Sequence, residues 1–138
     1  MQHLTELREI IEPSAAALAA TSHKPEQLAD IAQALQAMQN ATQISEWVQA
    51  DLAFHTAVLK ATNNPLLMPL AAIIGSALES LLAVSARTSE NFKQALPDHQ
   101  KVFEAIQTRD AQSALHRMAG LLSDTRSLMK RAVIPPSG

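Results

Sequence analysis

The sequence predicts an all-α fold, and three observations carry that prediction. Alanine and leucine dominate the composition, whereas aromatics reach only 3% with no Tyr, and there are only 3 Gly. A β-sandwich or barrel would instead draw on Val, Ile, Thr and aromatic residues in short alternating runs. Apolar residues also recur at threes and fours, the spacing that gathers side chains on one helical face. Finally, the periodic runs are interrupted by Thr21-Ser22-His23-Lys24-Pro25, Asn40-Ala41-Thr42 and Asn63-Asn64-Pro65, which are helix-breaking combinations. With 138 residues and 47% hydrophobic content, the chain has the size and core material of one domain.

The first helix is predicted over Leu4 to Ala20, where Leu4, Leu7, Ile11, Ala15 and Leu18 form the apolar stripe. Pro13 falls inside it and is expected to kink or break it, because its ring removes a backbone donor and crowds the preceding turn. Thr21 or Ser22 offers a cap, and Pro25 a first helical position, for a second helix over Pro25 to Asn40. Thr42 or Ser45 is the expected cap of a third helix that runs to the Asn63-Asn64-Pro65 stop. The fourth, Pro65 to Ala86, is apolar nearly all round, as suits a central helix or one buried by both core and dimer. After a polar turn from Arg87 to Gln94, a fifth helix begins at Glu90 or Pro97 and ends at Thr108. Asp110 reads as the N-cap of a sixth helix that carries Leu115, Met118, Leu122 and Thr125 to about Arg131. The helical domain is thus expected over 1–132 and a disordered tail over 133–138.

Charge and composition narrow the function. A net charge of −2, from 11 basic and 13 acidic residues that are well interspersed, gives no basic stripe for nucleic acid. Without cysteine there is neither a disulfide nor a thiolate site, so any metal must be held by His and carboxylate. No secretory pattern follows Met1, and the longest apolar run, Leu78 to Val84, contains Glu79 and falls far short of a membrane span. A cytoplasmic chain that touches no membrane is expected.

Within the third helix, Asp51 and His55 stand four residues apart and share a face with Trp47 and Val58. An acid and an imidazole on a core-facing stripe need partners. They read either as a hydrogen-bonded pair tucked against a neighbouring helix or as ligands for a metal or polar small molecule. Of the five histidines, His3 and His23 fall near a terminus and in a turn, and His116 lies off its helix's apolar stripe, so all three are expected in solvent. His99 sits on a core-facing stripe, and with Asp51 and His55 it makes a set suited to Zn, Ni, Fe or Mn. Arg8, four residues before Glu12, reads as half of a surface ion pair or as an inward guanidinium that clamps a ligand carboxylate. Arg87, at the end of the apolar fourth helix, invites the same two readings. No Glu-x-x-His pair, Gly-rich phosphate loop, G-x-S-x-G elbow or H-E-x-x-H helix is present. Machinery for catalysis is not visible.

Several pieces occur in a recognisable order. They are Leu7-Arg8-Glu9-Ile10-Ile11-Glu12-Pro13 through Ala20, Asp51-x-x-Phe54-His55, Asn63-Asn64-Pro65-Leu66-Leu67, Asp98-His99 with Phe103-x-Ala105-Ile106, and Asp110 with Ala114 and Met118. The chain resembles the FCD domain, the C-terminal effector-binding domain of the FadR subfamily of GntR transcription regulators. Its Glu-Pro in the first helix resembles members that sense sugar acids such as galactonate. The resemblance implies an antiparallel bundle of six to seven helices around a central ligand cavity, and a homodimer. It also implies a divalent metal held by Asp51, His55 and His99, an organic acid completing the coordination, and Arg8 against the effector carboxylate. The fourth family ligand would fall three residues after Met118, where this sequence has Leu121. A three-ligand site and a metal-free cavity are therefore both left open, and Arg117, one turn before Leu121, is a further candidate for an anionic ligand. Family members carry an N-terminal winged helix-turn-helix that this chain lacks, so DNA would be contacted only through that missing domain. Two rivals stand beside this reading: a helical-bundle metalloenzyme acting on a small carboxylate, and a purely structural dimerisation module.

Overall fold

The structure, a computed structural model, describes residues 2–76, 79 and 92–133. Five helices have both ends within the described residues: α1 (Gln2–Ser22), α2 (Pro25–Asn40), α3 (Ile44–Lys60), α5 (Leu96–Gln107) and α6 (Ala111–Val133). A 3₁₀ turn at Pro65–Leu67 leads into α4, which is helical over 68–76 and again at 79. Among the described residues there is no strand, so the all-α expectation holds. Arg87, the predicted end of the fourth helix and the tail Ile134–Gly138 lie outside the described residues.

Polar side chains set the reversals. Asn63 adopts the left-handed conformation (φ 57°) and stops α3. Its Nδ2 donates to the Ser22 carbonyl at 2.7 Å, and its side chain pairs with Gln27 at 2.8 and 3.0 Å. Together these bonds tie the end of α3 to the α1–α2 turn. Asn64 Oδ1 accepts from Leu66 N at 3.0 Å and caps the 3₁₀ turn. Asp110 caps α6 as expected, its carboxylate accepting from Ser113 N at 3.0 Å and Ser113 Oγ at 2.8 Å. Two other caps differ from expectation. Glu46 reaches back to the amides of Thr42 and Gln43 at 3.2 and 3.0 Å, so Gln43, not Thr42 or Ser45, is the N-cap of α3. Lys24 N-caps α2, with Gln27 Oε1 accepting its amide at 2.9 Å, while Thr21 turns back onto the Leu18 carbonyl.

α1 packs chiefly on α6, α2 on α3, and α5 on α6. The Glu9–Arg126 ion pair joins the start of α1 to the far part of α6. At the opposite end, Arg109 donates to the carbonyls of Ala20, Thr21 and His23. The two helices therefore run antiparallel. The main core gathers Ala16, Ala19 and Ala20 of α1 with Ile31, Met38, Phe54, Val58, Ile106, Met118 and Leu121.

α1 is continuous through Pro13, whose missing donor does not break the helix. Of its expected stripe, Ala15 is buried and Leu4, Leu7 and Ile11 are half-buried against the core, while Leu18 is exposed. The most deeply buried face also takes in Arg8, Glu12, Ala16, Ala19 and Ala20, which the stripe does not include. Over its described residues α4 buries Ala71 and Ile74 but leaves Ile73 exposed, as the preceding 3₁₀ turn leaves Leu66, so within one copy this stretch is not buried all round.

Candidate metal and anion site

Three helices bring charged side chains to one buried point. On α3, Asp51 and His55 share the inner face with Trp47, Phe54 and Val58. His99 lies in the first turn of α5, where its Nδ1 donates to the carbonyl of Ala95, the N-cap, at 2.7 Å. α1 supplies Arg8 and Glu12, and its alanines let this helix approach the core closely enough to bring both in. None of the five charged or titratable residues is more than 4% exposed. Aromatic rings enclose the imidazoles: His99 stands edge-to-face with Phe54 at 4.9 Å and with Trp47 at 6.1 Å.

Hydrogen bonds define how the imidazoles are turned. Asp51 Oδ1 lies 2.9 Å from His99 Nε2 and 3.1 Å from His55 Nε2, and the two Nε2 atoms are 3.3 Å apart. On the far side of its ring, His55 Nδ1 donates to Glu12 Oε1 at 2.5 Å. The other Glu12 oxygen accepts from Arg8 Nε at 2.6 Å. Because a carbonyl and a carboxylate only accept, both Nδ1 atoms carry protons. In the neutral tautomers both Nε2 lone pairs then point at Asp51 Oδ1. Three electron-rich atoms so close together call for a positive charge between them, either a proton or a metal ion. Asp51, His55 and His99 thus form a buried group that could hold a metal ion. One oxygen and two imidazole nitrogens suit a divalent transition metal, and each imidazole has the oxygen partner that fixes its tautomer.

Electrostatics hold the cluster ionised. Burial favours neutral Glu12, yet His55 and Arg8 outweigh it and pull the carboxyl down to about 2. Burial also opposes the charge on Asp51, but His99 and His55 hold it well below the usual carboxylate range. For His55, burial disfavours the cation, while Glu12 and Asp51 prevail and push it up to about 9. With both imidazoles neutral, Arg8, Glu12 and Asp51 sum to one negative charge. One proton on His55 neutralises the cluster, and a divalent metal in its place leaves one positive charge.

The FCD domain family model matches residues 3–124. The chain belongs to the FCD domain family. This FCD domain is 32% identical over 128 residues to the galactonate operon transcriptional repressor of Escherichia coli (strain K12), covering 91% of the chain and 56% of that repressor. The chain thus spans about half the length of this curated relative. Among solved structures, it superimposes on E. coli McbR/YncC with a TM-score of 0.81 at 16% identity, covering 94% of this chain and 67% of that one. A GntR protein of Streptococcus agalactiae gives a TM-score of 0.75 at 23% identity, with 91% and 57% covered. These likenesses show a shared fold.

Asp51, His55 and His99, expected together, do converge in this FCD domain, and Arg8 joins them through Glu12. Arg117 does not: it is exposed, although Leu121, one turn further along α6, is buried in the core. His23 is buried rather than solvated, its Nδ1 donating to the Ala19 carbonyl at 2.8 Å. Sequence reasoning missed Glu12. As a site residue it is hidden by its spacing from Arg8, which reads as a surface pair, although it also falls at the spacing of Ala15, Ala16 and Ala19, a small-residue face suited to close helix packing.

Proposed function

We propose that this FCD domain is the ligand-sensing and dimerising half of a bacterial GntR/FadR-type transcription regulator, and that it is not an enzyme. Its effector is a small organic or sugar acid, bound with a divalent metal at Asp51, His55 and His99 and clamped by Arg8. The observation that carries this reading is the convergence of three donor atoms within 3.3 Å of one another in the core. Arg8 supports the anion. Among the described residues only its Nε is engaged, by Glu12, which leaves both terminal nitrogens for a bidentate carboxylate. Charge agrees in sign, because the metal-loaded cluster keeps one positive charge for a monoanion to neutralise. Leu121 supplies no fourth ligand, so the acid and water complete the coordination.

The galactonate operon repressor, 32% identical, makes galactonate the first acid to try. Regulation follows if the acid binds one arrangement of the helices better than another, since equal affinity would shift nothing. DNA is contacted by an attached domain, the sensor works in the cytoplasm, and two copies assemble as a homodimer. Among the described residues no helix is long and apolar enough to cross a membrane.

A thermal-shift screen of sugar acids and small carboxylates, with and without Zn or Ni, tests the reading. Metal alone is expected to raise the melting temperature. An effector at 100 times its dissociation constant adds about 2.7 kcal/mol. A melting temperature unmoved by metal and by every acid overturns the proposal.

A further inference from the structure

We propose that Glu12 is the positioning residue of the metal site: its carboxylate orients the His55 imidazole and the Arg8 guanidinium together, so that a single residue of α1 sets both the metal ligand and the anion clamp. This inference rests on the metal reading above and deepens it. The two oxygens of Glu12 are divided between the two groups, one accepting from His55 Nδ1 at 2.5 Å and the other from Arg8 Nε at 2.6 Å. The carboxylate is almost fully buried, and among the described residues His55 and Arg8 are its only side-chain partners.

The consequence for His55 is chemical as well as geometric. A bond from Nδ1–H to a carboxylate fixes the tautomer that leaves Nε2 bare, and it raises the basicity of that nitrogen. His99 reaches the same tautomer differently, through the Ala95 carbonyl in its own helix. The two imidazoles are thus held by unlike partners: one by a neutral backbone group within its helix, the other by a charged side chain from α1. Of the two Nδ1 bonds, only that of His55 leaves its own helix, and it ties the site to α1. Any displacement of α1 relative to α3 must move Glu12 against His55, and Arg8 moves with it because it stands one turn away on the same helix. An anion pulling on Arg8 therefore acts on the metal ligand through one shared carboxylate, and the metal acts back on Arg8 by the same route.

The test compares wild type with Glu12→Gln and Glu12→Asp in the metal-stripped chain. Glutamine keeps the size but offers one acceptor oxygen in place of two, with an amide donor facing the other partner's N–H. Aspartate keeps the charge and withdraws the carboxylate by one methylene. Zinc affinity is read by competition with a chromophoric chelator, and the imidazole nitrogens by ¹⁵N NMR of the zinc-bound protein. Both variants are expected to bind zinc about 10- to 100-fold more weakly. The His55 Nδ1–H signal is expected to shift or broaden in Glu12→Gln, while the His99 Nδ1–H signal, held by Ala95, stays in place. A merely structural role would disturb both signals alike, and that result overturns the proposal. Zinc binding within twofold of wild type in both variants also overturns it while leaving the metal site intact. Zinc failing to bind wild type overturns the metal reading itself. Should Glu12→Gln fail to fold, Glu12→Asp carries the comparison alone.

Discussion

A carboxylate and a guanidinium leave water together only when each compensates the other, and Glu12 does so for both Arg8 and His55. Removing one partner strands the remaining charges, so Glu12→Ala is expected to destabilise the chain by about 3–5 kcal/mol in urea unfolding. The same groups make stability depend on pH in the metal-free protein. Glu12 falls from its ordinary 4.5 to about 2, so its contribution is complete above 4.5 and is lost as pH drops through about 2. His55 rises from 6.5 to about 9, so its contribution is complete below 6.5 and is lost as pH climbs through about 9. Melting temperature against pH should thus peak between 4.5 and 6.5, and His55→Gln should flatten the alkaline limb. Asp51, His55 and His99 were legible in the sequence because each is an ionisable group on an otherwise apolar stripe. Glu12 was not, because an i,i+4 Arg–Glu pair is the ordinary dress of an exposed helix face.

At the scale of the elements, the ends were legible wherever a side chain had one thing to do. Asn63, Asn64 and Asp110 each satisfy backbone groups that a helix end leaves open, and with Pro65 they marked the end of α3 and the starts of the 3₁₀ turn and α6. Loss of the Asp110 cap in Asp110→Ala is expected to cost about 1 kcal/mol, measured by chemical denaturation. Caps made from three residues away, by Gln27 and Glu46, were assigned to the wrong neighbours, since Gln and Glu also suit exposed helical positions. The face of α1 was legible in part. Leu4, Leu7, Ile11 and Ala15 turn toward the core and Leu18 does not, but following the bulky residues passes over Ala16, Ala19 and Ala20, which fill the closest contact. Close packing favours small side chains, and it is what brings Arg8 and Glu12 into reach of α3. Ala16→Leu, at a fully buried position on that face, is therefore expected to force α1 away, costing about 1–3 kcal/mol of stability and weakening zinc binding in the same protein.

At the scale of the whole molecule, the alanine-faced α1 packs beside α3 and α5 and completes a charged cluster that none of the three could hold alone. The all-helical architecture was legible because composition and periodicity agree, and the family because its motifs occur in one order along the chain. The uncovered apolar side chains of Leu66, in the 3₁₀ turn, and Ile73, in α4, could not be read as outward, since nothing in an apolar run distinguishes a core neighbour from open solvent. The central claim is that Asp51, His55 and His99 hold a metal that, with Arg8, binds an acid. It is tested most directly by anomalous diffraction from crystals of the chain grown with zinc and galactonate. The expected result is one anomalous peak bonded to Asp51 and to Nε2 of both histidines, with a carboxylate between it and Arg8. Crystals with zinc only on the surface, and the four side chains paired as they are without it, would contradict the account.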